Sequence, residues 1–356
     1  MTRQTTQKLI TALYPRLSHE DTLQGESNSI SNQDGICQGY FLPHIKICRT
    51  RQKTIAKLGG LCYNNKNILI LDRGEGLMAK NKLVTPVVKW VGGKRQLLEE
   101  ITQRFPKRVT TYCEPFLGGG AVLFSLQPKN AIVNDLNADL MLVYEVIRDN
   151  VELLIASLEK HENTSEYFYS IRDLDRDKDA YREMSAIDRA SRIIYLNKTC
   201  YNGLFRVNSS GEFNSPFGYY KNPNIVNASV LRAVSKYLTA NHVQLFHMDF
   251  EEVLRQVPRG AFVYLDPPYD PVSDTASFTG YNRGGFGREE QERLKRCCDG
   301  LTARGVRFLL SNSSTLFIQN LYAGYTVETV HAKRAVNSDA SKRGAVEEVL
   351  IRNYGT

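Results

Sequence analysis

The sequence predicts an α/β fold, a Rossmann-like mixed sheet with helices on both faces, and three stretches predict it. Ala261–Asp270 (AFVYLDPPYD) is an apolar run of β-branched and aromatic residues halted at Asp266-Pro267-Pro268-Tyr269, as a buried parallel strand ended by a double proline would be. Val109–Cys113 is a second candidate strand, running into Glu114-Pro115-Phe116-Leu117-Gly118-Gly119-Gly120 and then an apolar helix over 121–126. Ala131–Val133 is a third, ending at Asn134-Asp135 before a helix over 138–151. Each strand thus delivers a carboxylate, a glycine turn or a rigid aromatic turn to its C-terminal end, where open α/β sheets bind ligands.

The remaining elements come in order along the chain. Pro86–Gln96 (PVVKWVGGKRQ) holds the single tryptophan, Trp90, and places Gly92-Gly93-Lys94 before the helix-like LLEEITQRF. Glycines there would leave backbone amides open to an anionic group, and Lys94 adds a charge suited to a carboxylate. Residues 150–235 are too long for a simple crossover and carry charged helical stretches, then the loop-rich 197–224. That loop interleaves Lys198, Arg206 and Lys221 with Tyr201, Phe205, Phe213, Phe217, Tyr219 and Tyr220, a mixture suited to phosphate contacts and intrusion into a base stack. The plainer reading is a hairpin whose aromatics pack on the core. Strands are expected at 243–247 and 307–311, with a terminal pair at 325–332 and 347–353. Mobile loops are expected at 278–286 and 333–343.

Composition narrows the classes. With 42% hydrophobic and 24% charged residues the 356-residue chain is ordinary for a globular protein. No apolar run is long enough to span a bilayer and residues 1–15 lack a signal-peptide core, which predicts a cytoplasmic protein. A net charge of +8 favours a polyanionic partner without specifying one. The seven cysteines form no Cys-x-x-Cys pair and the six histidines no metal-ligand spacing, so neither a zinc site nor a disulfide framework is expected.

Residues 1–77 read differently. ALYPRLSHEDTLQGESNSISNQ resembles the start of a large serine recombinase, in which Ser18 would be the nucleophile with Arg16 beside it. The resemblance stops near residue 33, and the later arginines that would stabilise a pentavalent phosphate are missing. The expectation is an inert, poorly ordered appendage, with Met78 a natural start for the catalytic part of the chain.

Six segments in order carry a second resemblance: KWVGGK, EPFLGGGAVLF, NDLN, LNKTCYNGLFRVNSSGEFNSPFG, YLDPPYDPVSDTASFTGY and KRGAVEEVLIRNY. Together, over residues 84–354, they resemble the Dam-type family of adenine-specific DNA methyltransferases. The resemblance implies a methyltransferase catalytic domain (84–149 and 236–356) and an inserted, mainly helical target-recognition domain (150–235) with a β-hairpin near 208–214. It implies S-adenosylmethionine as cofactor, in keeping with a glycine turn that is neither Gly-x-Gly-x-x-Gly nor a P-loop. Trp90, Gly92, Lys94, Glu114, Phe116, Gly118, Gly120, Asp135, Asp249, Phe250 and Asp266 would line the cofactor site, Asp135 holding the ribose. Asp266, Pro267, Pro268 and Tyr269 would be catalytic. Lys89, Lys198, Tyr201, Asn202, Leu204, Arg206, Pro216 and Tyr220 would meet double-stranded DNA, with Lys89 reading a guanine in the major groove.

The chemistry explains the tetrapeptide. Adenine's exocyclic amine is a poor nucleophile, and acceptors at the Asp266 carboxylate and the Pro267 carbonyl would draw its lone pair out of conjugation with the ring. A flipped-out base needs an aromatic face, which Tyr269 supplies. Methylation within GATC is the expectation, in a monomer or weak dimer near the nucleoid, with a restriction endonuclease of the same system as a further partner. An RNA adenine methyltransferase of this fold, or a non-catalytic DNA-binding protein, are the alternatives.

Overall fold

A computed structural model describes residues 80–94, 96–272, 285–333 and 345–355, together with three short strands nearer the N-terminus. The chain divides into two units, Met1–Met78 and Ala79–Thr356. Of the first, the structure gives only an antiparallel sheet of β1 (Lys46–Thr50), β2 (Lys53–Leu58) and β3 (Leu61–Tyr63). The recombinase-like stretch with Arg16 and Ser18 lies outside the described residues. So do most of the loops expected at 278–286 and 333–343.

The second unit is built on a seven-stranded sheet in the order β6-β5-β4-β7-β8-β10-β9. Its strands are β4 (Tyr112–Glu114), β5 (Asn130–Asn134), β6 (His242–Phe246), β7 (Phe262–Leu265), β8 (Arg307–Ser313), β9 (Thr326–Lys333) and β10 (Ala345–Arg352). β6, β5, β4, β7 and β8 run parallel, and β10 pairs antiparallel with both β8 and β9. The sheet is therefore mixed.

The strands alternate between two apolar cores, as a period of two requires. Tyr112, Val133, Phe262, Tyr264 and Leu309 face one core; Cys113, Ile132, Val263, Leu265, Phe308 and Leu310 face the other. β7 is fully buried along its length, which is why its sequence reads as an unbroken apolar run. The first core is covered by α2 (Ala121–Leu126), α3 (Ala138–Asp149) and α8 (Ala228–Ala240), the second by α9 (Phe250–Gln256), α10 (Arg288–Ala303) and α11 (Leu316–Leu321). Helices lie on both faces, as the sequence predicts.

Between Gly92 and the sheet, the helix-like stretch 97–105 forms α1 (Leu98–Gln103), within one residue of its expected start. Gly92 is left-handed at φ 78°, so Lys94 belongs to an extended loop and not to a helix N-terminus. The segment after α3 is helical throughout: α4 (Val151–Leu158), α5 (Ser165–Asp173), α6 (Lys178–Glu183) and α7 (Ala186–Thr199). α7 is the spine of this insertion, with Ile193, Ile194, Tyr195 and Leu196 buried against α3, α4 and α5. Its apolar residues join the first core, so the insertion packs as a continuation of one sheet face.

Candidate active site

β4 and β7 are adjacent, yet the strands that follow them leave in opposite directions, β5 and β6 to one side and β8 to the other. Outgoing loops part at such a reversal and leave a crevice at the strands' carboxyl ends. Glu114 onward and Asp266 onward both emerge there.

Asp266 is held on one oxygen. Its Oδ1 accepts from Lys94 Nζ at 2.9 Å and from Ser311 Oγ, on β8, at 3.0 Å. Among the described residues Oδ2 has no donor. Burial pushes the Asp266 pKa above the ordinary aspartate range, and the Lys94 charge and its hydrogen bond pull it back. Lys94 also donates to the Gly92 carbonyl at 3.1 Å and sits 4.4 Å from the Tyr269 ring centroid. The lysine expected to meet a carboxylate does meet one, but it is Asp266 of its own chain. Tyr269 donates from its hydroxyl to Glu348 Oε2, on β10, at 2.6 Å, so its ring is held both on its face and at its tip. Pro267 is buried while the Pro268 ring is exposed.

The glycine turn is drawn tight around Asp135. Gly118 N donates to Asp135 Oδ2 and Asn137 N to Oδ1, both at 2.9 Å, and the Gly118 carbonyl accepts from Tyr144 Oη. Burial raises the Asp135 pKa and these two amides oppose it. Gly118 is left-handed at φ 49°, and a Cβ there would lie 3.3 Å from Trp90 Cδ1, so only glycine lets the turn rest on the indole. Gly120 caps α2 at φ 69°. Glu114 is buried at the end of β4, accepting from Tyr112 Oη at 2.7 Å; burial pushes its pKa up to about 8. Phe116 and Phe250 lie 5.4 Å apart, with Phe286 5.8 Å from each.

Asp249 is engaged within the protein. Its carboxylate caps α9 through Glu251 N at 2.9 Å and takes both Arg293 nitrogens at 2.7 and 2.8 Å, which holds its pKa below the usual range. The Arg293 guanidinium then lies 4.1 Å from the Phe250 ring centroid. The apolar wall at this corner is Phe250.

The loop after α7 sorts its aromatics by type. Phe205, Phe213 and Phe217 are buried, whereas Tyr201, Tyr219 and Tyr220 are 59%, 76% and 40% exposed. The plainer reading, aromatics packed on the core, holds for the three phenylalanines, while the three tyrosines are left at the surface. Asn202, Arg206 and Pro216 are exposed beside them and Leu204 is half-buried. The hairpin turns through a left-handed Gly211 and a Val207–Phe213 bridge. It is tied down by Asp175, whose Oδ2 accepts from Phe213 N at 2.7 Å and pairs with buried Arg192 at 2.9 Å. Lys89 is exposed; its Nζ donates to the Asn202 carbonyl, and its own backbone is held in both directions by the Asn197 amide. Trp90 stacks on Phe205 at 4.8 Å. Lys198 stands differently: half-buried on α7, it lines a cleft with Thr85, Pro86, Val87 and Ile225.

Ser311, Glu348 and Asn197 escaped the sequence reading. The only signals were polar residues where strand or helix patterns demand apolar ones: Ser311-Asn312-Ser313 closing a core strand, and Glu348 among the valines and isoleucine of β10.

Known proteins point the same way. Residues 90–336 match the family described as D12 class N6 adenine-specific DNA methyltransferase. The chain is similar to the type II methyltransferase M1.LlaDCHI of Lactococcus lactis subsp. cremoris, 42% identical over 282 residues, covering 78% of this chain and 99% of that one. It is also similar to the type II methyltransferase M.MjaIII of Methanocaldococcus jannaschii, 42% identical over 291 residues, covering 76% and 99%. The DNA adenine methylase of Escherichia coli is 31% identical over 278 residues, covering 77% and 95%.

Proposed function

The chain belongs to the D12 class of N6 adenine-specific DNA methyltransferases, and we propose that it methylates adenine within GATC through the Asp266–Tyr269 turn. Membership makes it an enzyme that transfers a methyl group from S-adenosylmethionine to the N6 amine of adenine in DNA. The carboxyl ends of β4 and β5 fit that cofactor: a carboxylate at Asp135 suited to hydroxyls, aromatic walls at Phe116 and Phe250, and a glycine turn seated on Trp90. Bound there, S-adenosylmethionine supplies a methyl group already activated by its sulfonium.

The observation that carries the assignment of Asp266 is its asymmetry, one oxygen locked by Lys94 and Ser311 and the other without a donor among the described residues. Oδ2 and the Pro267 carbonyl are the acceptors for the two N6 hydrogens, which turns the amine lone pair toward the methyl carbon. Tyr269, with Lys94 against it and Glu348 holding its hydroxyl, presents a fixed ring for the flipped base. After transfer the alkylated amine must lose a proton, and Oδ2 is the acceptor offered to it. Burial raises that oxygen's proton affinity, which suits it to the task.

Tyr201, Asn202, Leu204, Arg206, Pro216 and Tyr220, with Lys89, form the proposed DNA face. Their backbone is anchored while most of their side chains are exposed. Lys198, lining its cleft, is the least favoured of the residues expected to touch DNA. Among the described residues no helix is long and apolar enough to cross a membrane. A cytoplasmic enzyme working as a monomer or weak dimer on nucleoid DNA fits the same reading, and the two type II methyltransferase relatives favour a restriction endonuclease as its counterpart.

Paired duplexes differing only in one GATC site, with methyl-labelled S-adenosylmethionine, test the target. Label confined to the GATC duplex is expected; equal labelling of both would reject the sequence and keep the chemistry.

A further inference from the structure

Two successive prolines remove two of the five backbone N–H groups from residues 266–270, so the turn cannot be held by ordinary backbone ladder bonds. It is held instead by two side-chain amides. Gln291, on α10, has no exposed surface; its Nε2 donates to the Pro268 carbonyl at 2.8 Å. Its Oε1 accepts from Asn312 Nδ2 at 3.1 Å. Asn312, on β8 and equally buried, accepts at Oδ1 from Asp270 N at 3.1 Å and from Ser313 N at 2.8 Å. Ser313 Oγ donates to the Asp270 carbonyl at 2.6 Å.

An amide buried this deeply is costly unless bonded, and apolar residues of similar volume would fill the space between α10 and β8 at less risk. One bond from each amide goes to a backbone atom of the turn, and another joins the two amides. Both prolines have φ fixed by their rings, so the turn's remaining freedom lies in its peptide planes. Gln291 fixes the plane after Pro268, and Asn312 the plane before Asp270. The Pro267 carbonyl, the second acceptor for the reacting amine, sits directly upstream of that fixed segment.

We propose that Gln291 and Asn312 are positioning residues for methyl transfer: a buried amide pair that turns the Pro268 carbonyl inward and so aims the Pro267 carbonyl at the amine. The pair works through the turn and touches neither base nor cofactor. The proposal rests on Asp266–Pro267 being the acceptor pair, but not on the target sequence.

The test uses the full chain and total duplex DNA free of adenine methylation, so an error in the GATC assignment leaves it intact. Gln291→Met keeps the volume and removes the donor. The expected result is a single-turnover methylation rate lowered about tenfold or more, with the dissociation constants for S-adenosylmethionine and DNA within about twofold of wild type. Gln291→Glu puts an acceptor against the Pro268 carbonyl at alkaline pH and a donor when protonated. Its rate relative to wild type should therefore be lowest near pH 8.5 and recover as pH falls, because a buried glutamate holds its proton well above the usual carboxylate range. A wild-type rate in Gln291→Met would overturn the proposal. So would losses of rate, both affinities and melting temperature together in the two variants with no recovery at lower pH, since that pattern marks a core residue alone.

Discussion

The proposed catalytic turn at 266–270 and the proposed DNA-facing loop at 200–220 are both irregular segments that begin at the end of a regular element, yet they are built in opposite ways. In the turn, functional side chains are tied into the protein: Asp266 to Lys94 and Ser311, Tyr269 to Glu348. In the loop, the backbone is tied, through Asp175 to Phe213 and Asn197 to Gly203, while Tyr201, Arg206 and Tyr220 are left exposed. Groups that must meet a transition state gain from being set in place beforehand, and groups that must follow a deformable duplex gain from rotamer freedom. The two regions meet where Trp90, pressed against the glycine turn, stacks on Phe205 of the loop.

If that contrast is right, substitutions in the turn should damage rate and substitutions in the loop should damage affinity. The largest effect is expected from Asp266→Asn, which keeps the volume but offers a donor where an acceptor is needed. A fall of about 10³-fold in single-turnover rate is expected, in the range seen when one preorganised polar group is lost from a catalytic site.

Lys94→Met should cost about tenfold to a hundredfold and also shift the pH profile. Asp266 has a raised pKa that Lys94 restrains, so its carboxylate form is lost as pH falls through a value above the ordinary 3.8. Without the lysine that value climbs further. The acid limb of the rate profile should move to higher pH in Lys94→Met, and an unmoved limb would mean that another group governs it.

In the loop, Tyr201→Ala and Arg206→Ala should weaken DNA binding by about 1–3 kcal/mol each, with the rate on saturated enzyme close to wild type. The arginine variant should also lower the slope of log affinity against log salt by about one, as expected for a lost phosphate contact. A change in rate without a change in affinity would erase the distinction between the regions.

A smaller effect concerns stability. Glu114 is raised to about 8 by burial, so the stability it contributes is complete below its unfolded value of 4.5 and is lost as pH rises towards 8. The melting temperature of Glu114→Gln should therefore fall less than wild type between pH 5 and pH 8.5, as followed by circular dichroism. Smallest of all, Ser18→Ala should leave methylation unchanged.

The parts of this architecture that announce themselves in sequence are those whose chemistry forces a rare pattern. A double proline ending a fully buried strand, a run of glycines on an aromatic and an acid at the end of β5 could all be read in advance. The supporting groups could not. Ser311, Gln291, Asn312 and Glu348 lie 22 to 79 residues beyond Tyr269 in the chain and reach the turn only because β8 pairs with β7, β10 pairs with β8, and α10 covers the second core. Single polar residues inside apolar elements mark them, and such residues are common enough on their own to pass as solvent-facing. The Asp249–Arg293 pair was not legible in the sequence, because Arg293 comes from another helix, 44 residues on.

The most direct test of the division between a preassembled turn and an adaptable loop measures two quantities on the same proteins. DNA dissociation constant and single-turnover methylation rate would be determined for Asp266→Asn and Tyr201→Ala on one methylatable duplex. The structure predicts that Asp266→Asn binds within about threefold of wild type while its rate collapses, and that Tyr201→Ala does the reverse. Equal losses of rate and affinity in both variants would contradict it.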